Sequence, residues 1–153
     1  MTSFLSFVAL CLTSIASAAA PPSDQGIAFI RVNAIELNNR LEPNGLKWSL
    51  LKFRIKNMET GKVYAGLSPE RPPTRFEVPP GTYCMYSVFP YVNQELVFCM
   101  PPYFRVKAGK LNNIGSWKVG IDFATGTVKL MSSFEDPDEV LRLAVERYPK
   151  DFN

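Results

Sequence analysis

The sequence predicts a mainly β fold, a sandwich or barrel of short antiparallel strands with one amphipathic helix at the C-terminal end. Three observations predict it. Apolar and polar residues alternate with a period of two along much of the chain. Proline and glycine interrupt that alternation at short intervals. Only after Glu135 does the period become that of a helix.

The N-terminal stretch stands outside this pattern. SFLSFVALCLTSIASAAAPP carries no charge, is mostly apolar from Phe4 to Ile15, and ends in small residues with an A-x-A pattern at Ala16-Ser17-Ala18. These are the apolar region and cleavage site of a secretory signal peptide over residues 1–18. Its apolar core is shorter than the ~20 residues that a membrane span needs. Cleavage removes Cys11 and leaves a short extension over 19–25 ahead of a single domain over 26–153. No later apolar run is long enough to cross a bilayer, so no span is expected after cleavage. The periplasm or the extracellular space is the expected location. Two cysteines then remain, Cys84 and Cys99, and in an oxidising compartment they read as a disulfide.

The strands follow in order. GIAFIRVNAIEL predicts a first strand, apolar on both faces near its start, and Pro43-Asn44-Gly45 a turn. In LLKFRIKN the alternation is strongest: Leu51, Phe53 and Ile55 point one way, Lys52, Arg54 and Lys56 the other. Residues 58–62 turn the chain, and VYAGL completes a hairpin with Val63, Ala65 and Leu67 on one side. TRFEV is a short strand broken by Pro79-Pro80-Gly81. TYCMYSVF resumes, VNQ turns, and ELVFCM returns. YFRVKA points Phe104, Val106 and Ala108 inward, and SWKVGIDF does the same with Trp117, Val119, Ile121 and Phe123. Ala124-Thr125-Gly126 turns into TVKLM, with Val128 and Leu130 inward.

The helix is predicted over 137–148. Asp136 caps it, Pro137 takes the first position and Glu139 completes a capping box. Val140, Leu141, Ala144, Val145 and Tyr148 share its apolar face, and Pro149 stops it.

The cysteines suggest a register. With Cys84 opposite Cys99 on antiparallel strands, Met85 faces Phe98, Tyr83 faces Met100 and Ser87 faces Leu96. The bridge then lies on the other face, beside Tyr86 and Val97. A catalytic thiol pair calls for a C-x-x-C spacing, which this chain lacks, so the bridge is expected to be structural.

Residues 76–119, FEVPPGTYCMYSV and YFRVKAGKLNNIGSWKV, carry a resemblance. The short strand, the Pro-Pro-Gly-Thr-Tyr kink, Phe-x-Val-x-Ala-Gly-Lys and Ile-Gly-x-x-x-Val resemble the prealbumin-like β-sandwich modules of bacterial envelope proteins. Transthyretin-like and carboxypeptidase-regulatory-like domains belong to that group. The resemblance covers under half of the chain that remains after cleavage. It implies an antiparallel Greek-key β-sandwich and usually a non-catalytic role. The relatives that hydrolyse hydroxyisourate rely on histidines, and this chain has none, so that activity does not transfer. The C-terminal helix departs from the plain module.

Function classes narrow by elimination. Without histidine there is no Ser-His-Asp or Cys-His catalysis and no His-built zinc site. There is no phosphate-binding glycine loop, and no cofactor or metal is expected. Glu135-Asp136-Pro137-Asp138-Glu139 matches no calcium loop, and its acids suit a helix N-terminus. Residues 24–134 hold 14 of the 17 Lys/Arg against 8 of the 14 Asp/Glu, whereas 135–153 hold 3 against 6. A basic body with an acidic tail points either to an anionic partner or to a tail docked on the body.

Lys52, Arg54 and Lys56 form a candidate anion surface, although basic rows also blunt sheet faces and edges. Nucleic acid is not an expected partner. Phe89, Pro90, Tyr91 and Val92, at the tip of the cysteine-flanked hairpin, are the candidate contact with a protein or envelope component. The alternative is that they fold back over the core edge. The expected function is non-catalytic binding in the cell envelope. Two other readings stay open: an inhibitor or immunity-type protein that blocks a toxin or protease, and a secreted hydrolase using carboxylates.

Overall fold

In the computed structural model of the chain, the described residues are 24–153 without Asn39, Trp48, Ser49, Glu70 and Arg71. The predicted signal peptide, Cys11 and most of the 19–25 extension lie outside them.

The strands are β1 (Gly26–Leu37), β2 (Pro43–Lys47), β3 (Leu50–Asn57), β4 (Val63–Pro69), β5 (Thr74–Val78), β6 (Gly81–Tyr91), β7 (Gln94–Val97), β8 (Phe104–Val106), β9 (Leu111–Asp122) and β10 (Thr127–Glu135). Helix α1 (Pro137–Arg147) and a 3-10 turn, Pro149–Asp151, follow. The strands make two five-stranded sheets. The first runs β10-β9-β1-β2 with β5 also on β1, and the second β4-β3-β6-β7 with β8 also on β6. The fold is therefore mainly β, two sheets with one C-terminal helix, as predicted. One ladder departs from the antiparallel expectation: β1 and β9 run parallel, from Ile27 opposite Leu111 to Glu36 opposite Ile121. A parallel pair needs a long crossover, and the whole second sheet supplies it.

A shared core lies between the sheets. Ala28, Ile30, Val32 and Ala34 of β1, with Trp117, Val119 and Ile121 of β9, meet Leu51, Phe53 and Ile55 of β3 and Tyr83, Met85 and Val88 of β6. Phe104 and Val106 join them as predicted, but Ala108 is exposed because the chain is already turning towards β9. Phe123, Val128 and Leu130 pack on the core half-buried. Val63, Ala65 and Leu67 do share one face of β4, and it is the exposed one. Gly66 faces inward there, where a Cβ would lie 2.6 Å from the Phe76 ring.

Two turns differ from expectation. Pro43-Asn44-Gly45 opens β2 instead of turning, since proline is tolerated at a strand's first position. The turn comes earlier, where Asn38 Oδ1 accepts the N–H groups of Arg40 and Glu42, both at 2.9 Å. The β3–β4 turn lies where predicted, held by Asn57 Oδ1 accepting from Glu59 and Thr60. Glu59 then clips this turn to β6: each carboxylate oxygen is 3.0 Å from the Thr82 N–H. That hydrogen bond holds the Glu59 carboxyl below its ordinary pKa.

The helix covers the outer face of the first sheet. Ile27 and Phe29 point away from the shared core and pack on Val140, Ala144, Tyr148 and Phe152. Phe29 stacks with Tyr148 at 5.8 Å and Phe152 at 5.5 Å between ring centroids. Arg75 of β5 grips Asp151 through two hydrogen bonds of 2.7 and 3.1 Å. Asp136 lies 3.7 Å from Arg31 and Glu135 3.9 Å from Lys118. The acidic tail is thus docked on the basic body.

Details of the helix correct the sequence reading. It ends at Arg147, with Tyr148 as its C-cap. Asp136 adopts the left-handed conformation (φ 46°) and makes no side-chain cap, so the capping box does not form; Glu139 pairs with Arg142 instead. The buried face is Val140, Leu143 and Ala144, while Leu141 and Val145 are 39% and 43% exposed. Each of these two follows a buried residue, and one position rotates a side chain by about 100°.

Two outcomes follow. Phe29→Ala should cost about 3–5 kcal/mol in urea unfolding, whereas Leu141→Ala should stay within about 0.5 kcal/mol. The folded pKa of Glu59 is depressed, so its stabilisation is complete above the unfolded carboxylate pKa of about 4.3 and lost as pH falls through the lower folded value. Glu59→Ala should therefore lower the melting temperature at neutral pH, and the difference from the parent should shrink on acidification below that range.

Candidate functional site

The hairpin β6–β7 carries the predicted contact residues, and a disulfide braces it. Cys84 and Cys99 are bonded, with Cα atoms 5.3 Å apart. The register differs from the predicted one by a single residue: Ser87 faces Val97 and Val88 faces Leu96. Tyr83 pairs with Phe104 of β8, not with Met100. The cause lies after β7. Cys99 takes φ 23°, and the Tyr86 carbonyl accepts both the Phe98 N–H (2.9 Å) and the Cys99 N–H (3.4 Å). That leaves one residue outside the ladder. A second irregularity skips Tyr86 where β6 pairs with β3. The core side of β6 accordingly shifts from Tyr83 and Met85 to Val88. Cys84 is fully buried, and the Met58 sulfur lies 3.7 Å from Cys99 Sγ.

The four tip residues divide. Pro90 is buried and Phe89 half-buried, so part of the tip does fold back over the core edge. Tyr91 is 56% exposed and Val92 93%. Tyr91 also rests against Phe123, the residue after β9, 5.3 Å between centroids, which ties the tip to the β9–β10 turn.

The basic row divides too. Lys52, Arg54 and Lys56 stand on the outer face of β3, but Arg54 is bonded to both oxygens of Glu95 at 3.1 and 3.2 Å. Ser87 Oγ donates to the same carboxylate at 2.6 Å. Glu95 thus neutralises the middle of the row. Lys52 and Arg54 lie over the Phe89 ring, 4.7 and 4.8 Å from its centroid, and Lys56 over Tyr86 at 5.4 Å.

Register sets these groups into cross-strand rows. Leu67, Lys52 and Phe89 form one, Ala65, Arg54, Ser87 and Val97 the next, and Val63, Lys56 and Cys84 the third. Each row has a cation on its central strand and an apolar group towards the β4 edge. At the first row's end an open groove of about 390 Å³ is lined by Lys52, Leu67, Phe89, Pro90, Tyr91 and Val92. Among the described residues its lining includes one cation and no acid.

Leu67, Glu95, Tyr86 and Phe123 were not among the residues expected to matter. Leu67 was within reach: the hairpin's own register sets Val63, Ala65 and Leu67 beside Lys56, Arg54 and Lys52. Glu95 and Phe123 come from elements whose approach no local pattern encodes. Among the described residues no group of three His, Cys, Asp or Glu is placed to hold a metal ion. Ser87, whose hydroxyl donates to Glu95, is fully buried.

A thiol count checks the bridge. The denatured, unreduced full chain should show one reactive thiol, that of Cys11, and none once residues 1–18 are removed. Three reactive thiols in the full chain would contradict the pairing. With a sequence separation of 15, reduction should cost about 3 kcal/mol of stability.

No protein-family model matches the chain, and no curated protein or solved structure does so either.

Proposed function

We propose that this protein is an exported, non-catalytic binding protein of the cell envelope whose contact surface is the β6–β7 tip and the groove beside it. The observation that carries the reading is the exposure of Tyr91 and Val92 on a covalently braced hairpin. Large apolar side chains held in water by a rigid support suit a partner, because little ordering entropy remains to be lost on binding. Tyr91 presents a ring with a polar end, the kind of side chain that dominates interface energies.

The location rests on three supports. The leader has the composition of a secretion signal, the disulfide suits an oxidising compartment, and no helix among the described residues is long and apolar enough to cross a membrane. The resemblance to prealbumin-like envelope modules and the lack of histidine support a role without catalysis.

Site-directed photo-cross-linking tests the contact. A photoreactive residue at position 92 should trap a component of the producing cell's envelope. The same group at position 141, exposed on the helix, should trap nothing specific. Equal products from both positions, or product from position 141 alone, would place the contact elsewhere.

A further inference from the structure

We infer that the envelope component contacted by the tip is an anionic lipid surface, with Val92 and Tyr91 entering the interface and Lys52 meeting the headgroups. This rests on the reading of the tip as the contact site. Leu67 (55% exposed), Tyr91 (56%) and Val92 (93%) surround one groove. Three large apolar groups so grouped mark a surface meant to be covered.

Among the described residues that line the groove, the charge has one sign. Lys52 is the only charged residue among the described residues of the groove lining. It is exposed, and no carboxylate among the described residues forms an ion pair with it. The nearest acid of the hairpin, Glu95, is engaged by Arg54 and Ser87 and so presents a compensated charge. Lys56 continues the row along β3, over Tyr86. The complement to this surface is therefore negative at its rim and apolar at its centre.

Shape selects between partners of that chemistry. Val92 is nearly free of protein contact at the turn of a hairpin, so it projects as a wedge beside the groove. A folded protein would need a hole cut to fit it. A bilayer deforms around such a wedge, places tyrosine at headgroup depth, and offers phosphates to lysine. Buried Pro90, the Tyr91–Phe123 contact and the disulfide keep the wedge rigid.

Co-sedimentation of the chain lacking residues 1–18 with extruded vesicles tests the inference. Phosphatidylcholine alone is compared with an equal mixture of phosphatidylcholine and phosphatidylglycerol. Binding is expected on the mixed vesicles, weakened by added salt. It should fall about tenfold in Val92→Asp, as loss of a buried valine implies, and several-fold in Lys52→Glu. Both sites are exposed, so an unchanged melting temperature confirms that the variants are folded. Absence of binding to mixed vesicles overturns the inference, as does binding that survives Val92→Asp. Binding of equal strength to both vesicle types overturns the anionic preference. If vesicles fail while position 92 still cross-links an envelope protein, the lipid assignment is wrong and the tip remains the contact. If both fail, the reading of the tip falls with it.

Discussion

The first half of β1 has no side that can meet water. Ile27, Ala28, Phe29 and Ile30 are each no more than 2% exposed. Even positions from Ala28 to Ala34 fill the core between the sheets, and Ile27 and Phe29 fill the space under the helix. Both edges are also taken, by β9 on one side and by β5 and β2 on the other. A strand apolar on both faces is stable only between two layers. The C-terminal helix is that second layer, and the grip of Arg75 on Asp151 fixes the 3-10 turn that follows it.

Covering one sheet leaves the two outer faces unlike. On the first, Phe29 is sealed by α1, Tyr148 and Phe152. On the second, the aromatic rings are roofed by the charged ends of their neighbours: Lys52 and Arg54 over Phe89, and Lys56 over Tyr86. Long basic side chains lay their stems on apolar surface and keep their charge in water. Such a roof can be lifted by a partner, whereas a packed helix cannot be lifted without unfolding. The asymmetry places the open groove on the second sheet.

Much of this was legible in the residues. The alternation in LLKFRIKN fixes which side of β3 is core, and the two cysteines beyond residue 25, Cys84 and Cys99, point to the bridge. What escaped was decided by contacts between distant segments. The pairing of β6 with β7 slips because Cys99 adopts a positive φ, which no period-two pattern contains. The helix offers Leu141 and Val145 as readily as Leu143, and only its seating on Phe29 chooses the phase. The dual apolar character of β1 was visible, but its parallel partner was not, since the two strands come from opposite ends of the chain. The tip was singled out as a candidate by its composition. Its division into buried Pro90 and exposed Val92 depends on where β9 turns.

The parallel ladder also sets the order in which the chain can acquire structure. Asn112 donates to the carbonyl of Ile27 across 85 residues of sequence. Closing so long a loop costs entropy before the ladder returns any free energy. During synthesis, β1 emerges early and its main partner late. Hairpins such as β3–β4 can close locally in that interval, while the most apolar strand waits with an edge open. Such a topology slows folding and exposes an apolar edge in that interval, so yield should depend on how long the β9 edge of β1 stays open.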